Sequence, residues 1–254
     1  MKNLALINLL RLLPALALLT VWQLAANQWP NLDFTTGSPV GIARELRVLI
    51  GTETLFRDFG ITLGEAVLGF LTGTVAGTAL GLFLWSMRTA YDVLRPYLLA
   101  LGALPIVALG PMMIFWFGTG MLSKVVLGFL ATVVIAITQS YTGAHEADSD
   151  LLKMVQAFGG SCRQAFWKIV VPSAALWVVA GIRINVSMAL LAAFVGEFIA
   201  SRMGLGYLII TAEGLYNVNQ IWCGIGGILL IAFLLHFSTF PLEQWASKLK
   251  PTRN

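Results

Sequence analysis

Charge is what this chain has least of. Asp, Glu, Lys and Arg make up 11% of its 254 residues, under half of the roughly 25% found in an ordinary soluble domain. Cysteine and histidine are scarcer still, at two each. Cys162 and Cys223 have neither metal-type nor redox-type spacing. On the topology derived below they fall on different sides of a membrane or within it, which argues against a disulfide. His145 and His236 are isolated, so no metal site is expected. No G-x-x-x-x-G-K run followed by Ser or Thr occurs, so the chain lacks a P-loop for nucleotide. The apolar runs show no H-E-x-x-H, Ser/His or Asp/Asp arrangement, and the chain is therefore not expected to be an enzyme.

What the chain does have is apolar length. It is 58% apolar with a mean hydropathy of +0.83. The excess falls in runs of roughly 18–26 residues, enough to cross a hydrocarbon core of about 30 Å. The fold class that follows is all-α: a single polytopic membrane domain, residues 1–254, with six transmembrane helices. The expected spans are 9–29, 61–85, 96–117, 122–140, 173–200 and 221–240. Span 3 should be broken by Pro105 and Pro111. Val40–Ile50 is a candidate surface helix, and Arg202–Tyr207 reads as a glycine-rich link. A cleaved signal peptide is the alternative for span 1, because Leu24-Ala25-Ala26 resembles a cleavage site. Arg11, Pro14 and the length of the run favour a retained span.

The net charge of +4 fits this topology better than it fits nucleic acid, which is not an expected partner. With both termini inside, ten cations lie inside: Lys2, Arg11, Arg88, Arg95, Lys153, Arg163, Lys168, Lys248, Lys250 and Arg253. Five lie outside: Arg44, Arg47, Arg57, Lys124 and Arg202. Lys and Arg accumulate on the cytoplasmic side, so the termini and the polar stretch 141–172 are expected there. Trp22, Trp29, Trp222 and Trp245 near span ends look like interface anchors.

Gly69, Gly73, Gly77 and Gly81 recur every four residues in span 2. They form a bare helix face that another helix can approach closely, in this chain or in a second copy. Ionisable residues within spans are costly. Arg183 is either snorkelling or an electropositive point, and Glu197 is either interfacial or a gating residue. Glu65 reads as interfacial. Met112, Met113, Phe115 and Trp116 follow the proline of span 3. They are candidate lining of a pathway, as are Arg183, Ser187 and Glu197, with packing as the alternative. Ser187 has a second alternative, a bond back to its own helix.

The polar stretch carries the sharpest pattern. Asp148 or Ser149 can cap a helix, with Asp150 in its first turn. Leu151, Leu152, Val155 and Phe158 recur at helical spacing. Gly159-Gly160 ends that helix, Ser161 can cap a second, and Pro172 marks the start of span 5.

Within Ala157–Pro172 the text AFGGSCRQAFWKIVVP resembles the EAA loop of binding-protein-dependent ABC importer permeases. Leu104–Gly118 (LPIVALGPMMIFWFG), Ala180–Ile184 (AGIRI) and Val195–Leu208 (VGEFIASRMGLGYL) resemble the nitrate/sulfonate/taurine branch of that family. The similarity runs in order from about Ile61 to the C-terminus. It implies a type I importer fold, with spans 2–6 as the core and span 1 added outside. It also implies a coupling helix, Asp150–Phe158, seated in a groove of an ATPase. The coupling residues would be Asp150, Leu151, Leu152, Lys153, Val155, Gln156, Phe158, Gly159 and Arg163. The family's Glu-Ala-Ala falls here on Lys153-Met154-Val155, so the usual acid is missing. Asp150 could replace it, or Lys153 could meet an acidic partner surface.

The implied partners are a second permease copy, two ABC ATPase subunits, an external substrate-binding protein, a small solute and the lipid bilayer. ATP and Mg would be bound by the ATPase, and this chain would hold no cofactor. The solute would be small and mostly anionic, among taurine or other sulfonates, nitrate, an aromatic acid or a neutral vitamin precursor. The location implied is the cell inner (plasma) membrane. The competing class is an ion-coupled secondary transporter. That class calls for intramembrane acids, for which Glu197 alone is thin support.

Overall fold

The computed structural model describes residues 2–249, without the side chains of residues 2–12, 30, 243, 245 and 247–249. The expected anchor Trp245 and the cations Lys2, Arg11, Lys248, Lys250 and Arg253 thus lie wholly or by side chain outside the described residues. Within them every regular element is a helix. Four helical stretches are long and apolar enough to cross a bilayer, and a bent pair makes a fifth if it is one span. The expected span 1 falls in α1 (Lys2–Gln28), of 27 residues.

Three long helices form the centre: α4 (Thr54–Ser86), α7 (Met121–His145) and α10 (Val171–Ile199). Lipid tails are as apolar as leucine, so these helices are held by close packing rather than by a hydrophobic drive. The glycine face of α4 supplies that closeness, and its partner helix is α7 of the same chain. A Cβ added at Gly69 would stand 2.8 Å from Gly128 Cα, and one at Gly81 would stand 2.5 Å from the Ile137 carbonyl. Gly73 and Gly77 run equally close to Thr132 and Val133. α10 packs against the other side of α7 and against α4.

Around this core, α6 (Ile106–Phe117) covers α7 and α10, while α11 (Leu205–Gly214) and α12 (Val218–Leu249) cover α10. α2 (Pro30–Thr36) and α3 (Pro39–Gly51) lean on α12. Two indoles fasten that corner. Trp22 Nε1 donates to the Gly37 carbonyl and Trp222 Nε1 to the Thr36 carbonyl, both at 2.9 Å.

Three features refine the sequence reading. First, span 3 breaks at Pro105, as expected, but so sharply that it forms two helices. α5 (Arg88–Ala103) and α6 meet at an angle of 91°. The break lies at Leu104-Pro105, both extended, because a residue before proline is pushed out of the helical region. Pro111, expected as a second break, sits inside α6 without ending it. Second, Pro172 lies in the first turn of α10, as expected, but that turn is not a free helix start. α9 (Cys162–Ala165) runs through a π-helical turn, Phe166–Val170, into α10, giving one apolar stretch from Cys162 to Ile199. The wide turn precedes the proline directly, where a regular ladder would miss its N–H. Third, the glycine-rich link holds the start of α11, whose Leu205, Gly206, Leu208, Ile209 and Ala212 are buried.

Candidate functional site

α8 (Ser149–Ala157) stands at the end of the bundle where α7 finishes and α9 begins. Asp148 is its N-cap, accepting from Asp150 N at 2.8 Å and Leu151 N at 3.3 Å. At its other end Gly159 N–H reaches the Gln156 carbonyl and Gly160 N–H the Val155 carbonyl. This double bond pattern needs a left-handed residue, and Gly159 has φ +75. Ser161 then caps α9 reciprocally with Gln164. These caps make a short polar helix rigid without burying it: no residue of α8 is buried.

The apolar residues of α8 do not share one face as expected. Leu152 packs inward near Val170 and Trp85, and Val155 is half-buried beside Gly160. Leu151, Met154 and Phe158 point outward, with Phe158 84% exposed. The outward stripe therefore includes Met154, which the sequence reading passed over. Gln156 and Arg163 are exposed. Lys153 Nζ lies 3.4 Å from Asp150 Oδ1, both side chains in solvent, so the two candidate substitutes for the missing acid face each other.

The expected pathway residues divide. Met112, Phe115 and Trp116 on α6 are exposed, whereas Met113 is 4% exposed and packs with Leu127, Ala131 and Ala192. On α10, Arg183 and Ser187 share an exposed face, and Ser187 Oγ donates to the Arg183 carbonyl at 3.0 Å. Ser187 and His236 line one small hollow between α10 and α12, so His236 is isolated in sequence but not in space.

Glu197 and Glu65 lack the exposure that an interfacial side chain would have. Both are fully buried, and Lys124, counted among the outer cations, is buried with them. For Glu197 and Lys124 the burial is compensated by hydrogen bonds. Glu197 Oε1 accepts from Thr62 Oγ1 and Oε2 from Gly206 N, each at 2.6 Å. Thr62 Oγ1 in turn accepts from Leu205 N at 2.9 Å. Together Glu197 and Thr62 cap α11, whose own N-cap, Gly204, has no side chain to do so. A Cβ at Gly204 or Gly206 would strike Glu197, so both positions must stay bare. Lys124 Nζ donates to the carbonyls of Thr119, Gly120 and Ala200. Ala200 ends α10, where a helix presents its negative pole to a cation. Glu65 faces Glu197 and Lys124, and its Oε2 has no hydrogen-bond partner among the described residues. Lys124 and Glu197 thus bind the turns after α6 and α10 to α4 and α11, with Glu65 buried beside them. A sequence signal for this did exist: Glu65, Lys124 and Glu197 all lie in apolar helices, and a G-L-G triplet follows Glu197.

Residues 69–248 match the family model described as "Binding-protein-dependent transport system inner membrane component". A probable ABC transporter permease protein of Haemophilus influenzae is 32% identical over 87% of this chain and 89% of its own. A riboflavin transport system permease of Chloroflexus aurantiacus is 29% identical over 89% and 85%. A putative aliphatic sulfonates transport permease of Bacillus subtilis is 28% identical over 84% and 77%. Among solved structures, the inward-facing MetNI methionine ABC transporter superposes with a TM-score of 0.68 at 16% identity, over 79% of this chain and 98% of that chain, and so shares the fold. The chain belongs to the family of binding-protein-dependent transport system inner membrane components, as the multi-pass permease of an ABC importer.

Proposed function

We propose that this permease works as a pair of identical copies, with two ATPase subunits that hold ATP and Mg and with an external binding protein that delivers the solute. α8 is the contact with the ATPase, and both chain termini lie on that cytoplasmic side. The observation that carries this reading is the outward stripe Leu151, Met154 and Phe158 on a doubly capped helix. An apolar stripe at i, i+3 and i+7 on an otherwise polar helix is the pattern that seats a helix in a groove. Approach of the two ATPases on binding ATP would move the two α8 helices, and the spans with them. ATP biases that change only by binding one arrangement better. Met112, Phe115 and Trp116 of α6 and Arg183 and Ser187 of α10 line the route of the solute. The solute is small and anionic: taurine or another sulfonate, nitrate or an organic acid. Arg183 on an exposed intramembrane face favours an anion, and the relative named for aliphatic sulfonates falls in that class.

The test is co-purification of the tagged chain with its co-expressed ATPase, for wild type and a Leu151→Asp, Phe158→Asp double variant. Leu152 is unsuitable because it packs inward. Loss of the ATPase from a variant that stays monodisperse in detergent is the expected result. Full retention would remove α8 as the contact. If no ATPase accompanies the wild type, the ion-coupled alternative takes precedence.

A further inference from the structure

Two hollows lie side by side at the end of the bundle away from α8. The first, about 400 Å³, is walled by Ile42 of α3, Phe56 and Phe59 of α4 and Leu230 of α12, with Gly226 as part of its floor. The second, about 710 Å³, shares the wall of Phe56 and is lined by Thr52, Glu53, Thr54 and Arg57. They differ in chemistry. The first offers apolar walls and suits a hydrocarbon tail. The second presents one cation and one anion.

Arg57 is held from behind. Its Nε donates to the buried Asp58 carboxylate at 3.1 Å, while the side chain stays 54% exposed. Arg57 lines the second hollow, and its remaining N–H groups are free of Asp58 to take a phosphate in the forked geometry that guanidinium favours. Glu53 occupies the turn between α3 and α4 with φ +58, a left-handed backbone that costs a non-glycine residue free energy and often marks a binding turn. In a bilayer, the molecule with an apolar tail that reaches such an opening at bulk concentration is lipid.

We propose that the two hollows together hold one aminophospholipid. An acyl tail lies between α3, α4 and α12, the phosphate sits on Arg57 and the ammonium on Glu53. A zwitterionic head satisfies both charges, whereas an anionic head would bring its net charge against Glu53. This site is separate from α8 and from the α10 face, and it does not depend on the identity of the solute.

The full chain, extracted from membranes in mild detergent, is examined by native mass spectrometry and lipid extraction. It is then exchanged into nanodiscs of phosphatidylethanolamine or phosphatidylglycerol. Retention of one phosphatidylethanolamine per chain is expected for the wild type. Gly226→Leu should lower it by roughly tenfold, because its new side chain enters the tail hollow. A Cβ at Gly226 meets no atom within 4 Å, so the protein should remain folded, as its thermal unfolding will report. Glu53→Gln, on an exposed side chain, should shift preference toward phosphatidylglycerol and serves even if Gly226→Leu fails to fold. A lipid-free wild type, or equal retention by folded Gly226→Leu, overturns the tail site. A head preference unchanged by Glu53→Gln overturns the pairing of charges.

Discussion

The two ends of this permease treat charge in opposite ways. At the α8 end Lys153 and Asp150 face each other in open solvent, where such a pair is worth little because water already solvates both partners. At the far end Lys124, Glu65 and Glu197 are sealed among four helices, and Lys124 and Glu197 are matched by backbone groups and a hydroxyl. The lesson is that the same residue types act as replaceable surface at one end and as irreplaceable structure at the other. Burial decides which, because removing one member of a buried set strands its partner.

The widest break in this contrast should come from Lys124→Met. Three backbone carbonyls would lose their donor and two buried carboxyls the cation they face, at a cost of about 3–5 kcal/mol. Thermal unfolding in detergent should drop sharply, and pairing the change with Glu197→Gln should recover part of the loss. An unshifted transition would mean that the cluster contributes nothing. Next in size is the glycine seam. Gly73→Leu should cost roughly 1–3 kcal/mol or more, since its side chain would run into Thr132 and Phe129. Gly60→Ala in the same helix has open space and should stabilise by about 0.5–1 kcal/mol, because alanine is the better helix former. The same unfolding assay ranks the two.

Smaller effects belong to the α8 end. Asp148→Ala should cost about 1 kcal/mol of helix stability. The change should register as faster amide exchange confined to α8, with global unfolding unmoved. Smallest of all, Lys153→Ala should change stability by less than about 0.5 kcal/mol. Any loss of ATPase affinity in that variant would therefore report a contact with the partner rather than a folding defect.

How far these features could be read from the chain followed the length of their pattern. Gly69, Gly73, Gly77 and Gly81 were legible as a close-contact face because one repeat fills one helix. Their partner was not, since nothing in a single repeat says which helix answers it. Asp148, Gly159 and Ser161 were legible as caps because capping is decided within a few residues. Met154 and Leu152 were misjudged by about one helical position, since a short helix has two candidate apolar stripes until a neighbour covers one. The largest misreading concerned Glu65, Lys124 and Glu197. Taken alone the two glutamates look interfacial and the lysine looks like an outer cation, and only the packing of α4, α7 and α10 brings them together from positions far apart in the chain.

The unbroken run from Cys162 to Ile199 carries a consequence in mechanics. It spans 38 residues, roughly 55 Å at the helical rise, with its foot beside α8 and its head fastened through Glu197 and Ala200. Such a rod behaves as a lever with a clamped tip. A tilt of about 5° around its middle would swing each end by about 2.4 Å, on the scale of known helix shifts. The irregular stretch of the rod is the π turn at Phe166–Val170, where a wide turn can serve as a joint. Stiffening or softening that joint would set how much of any push at the foot arrives as torque at the clamp.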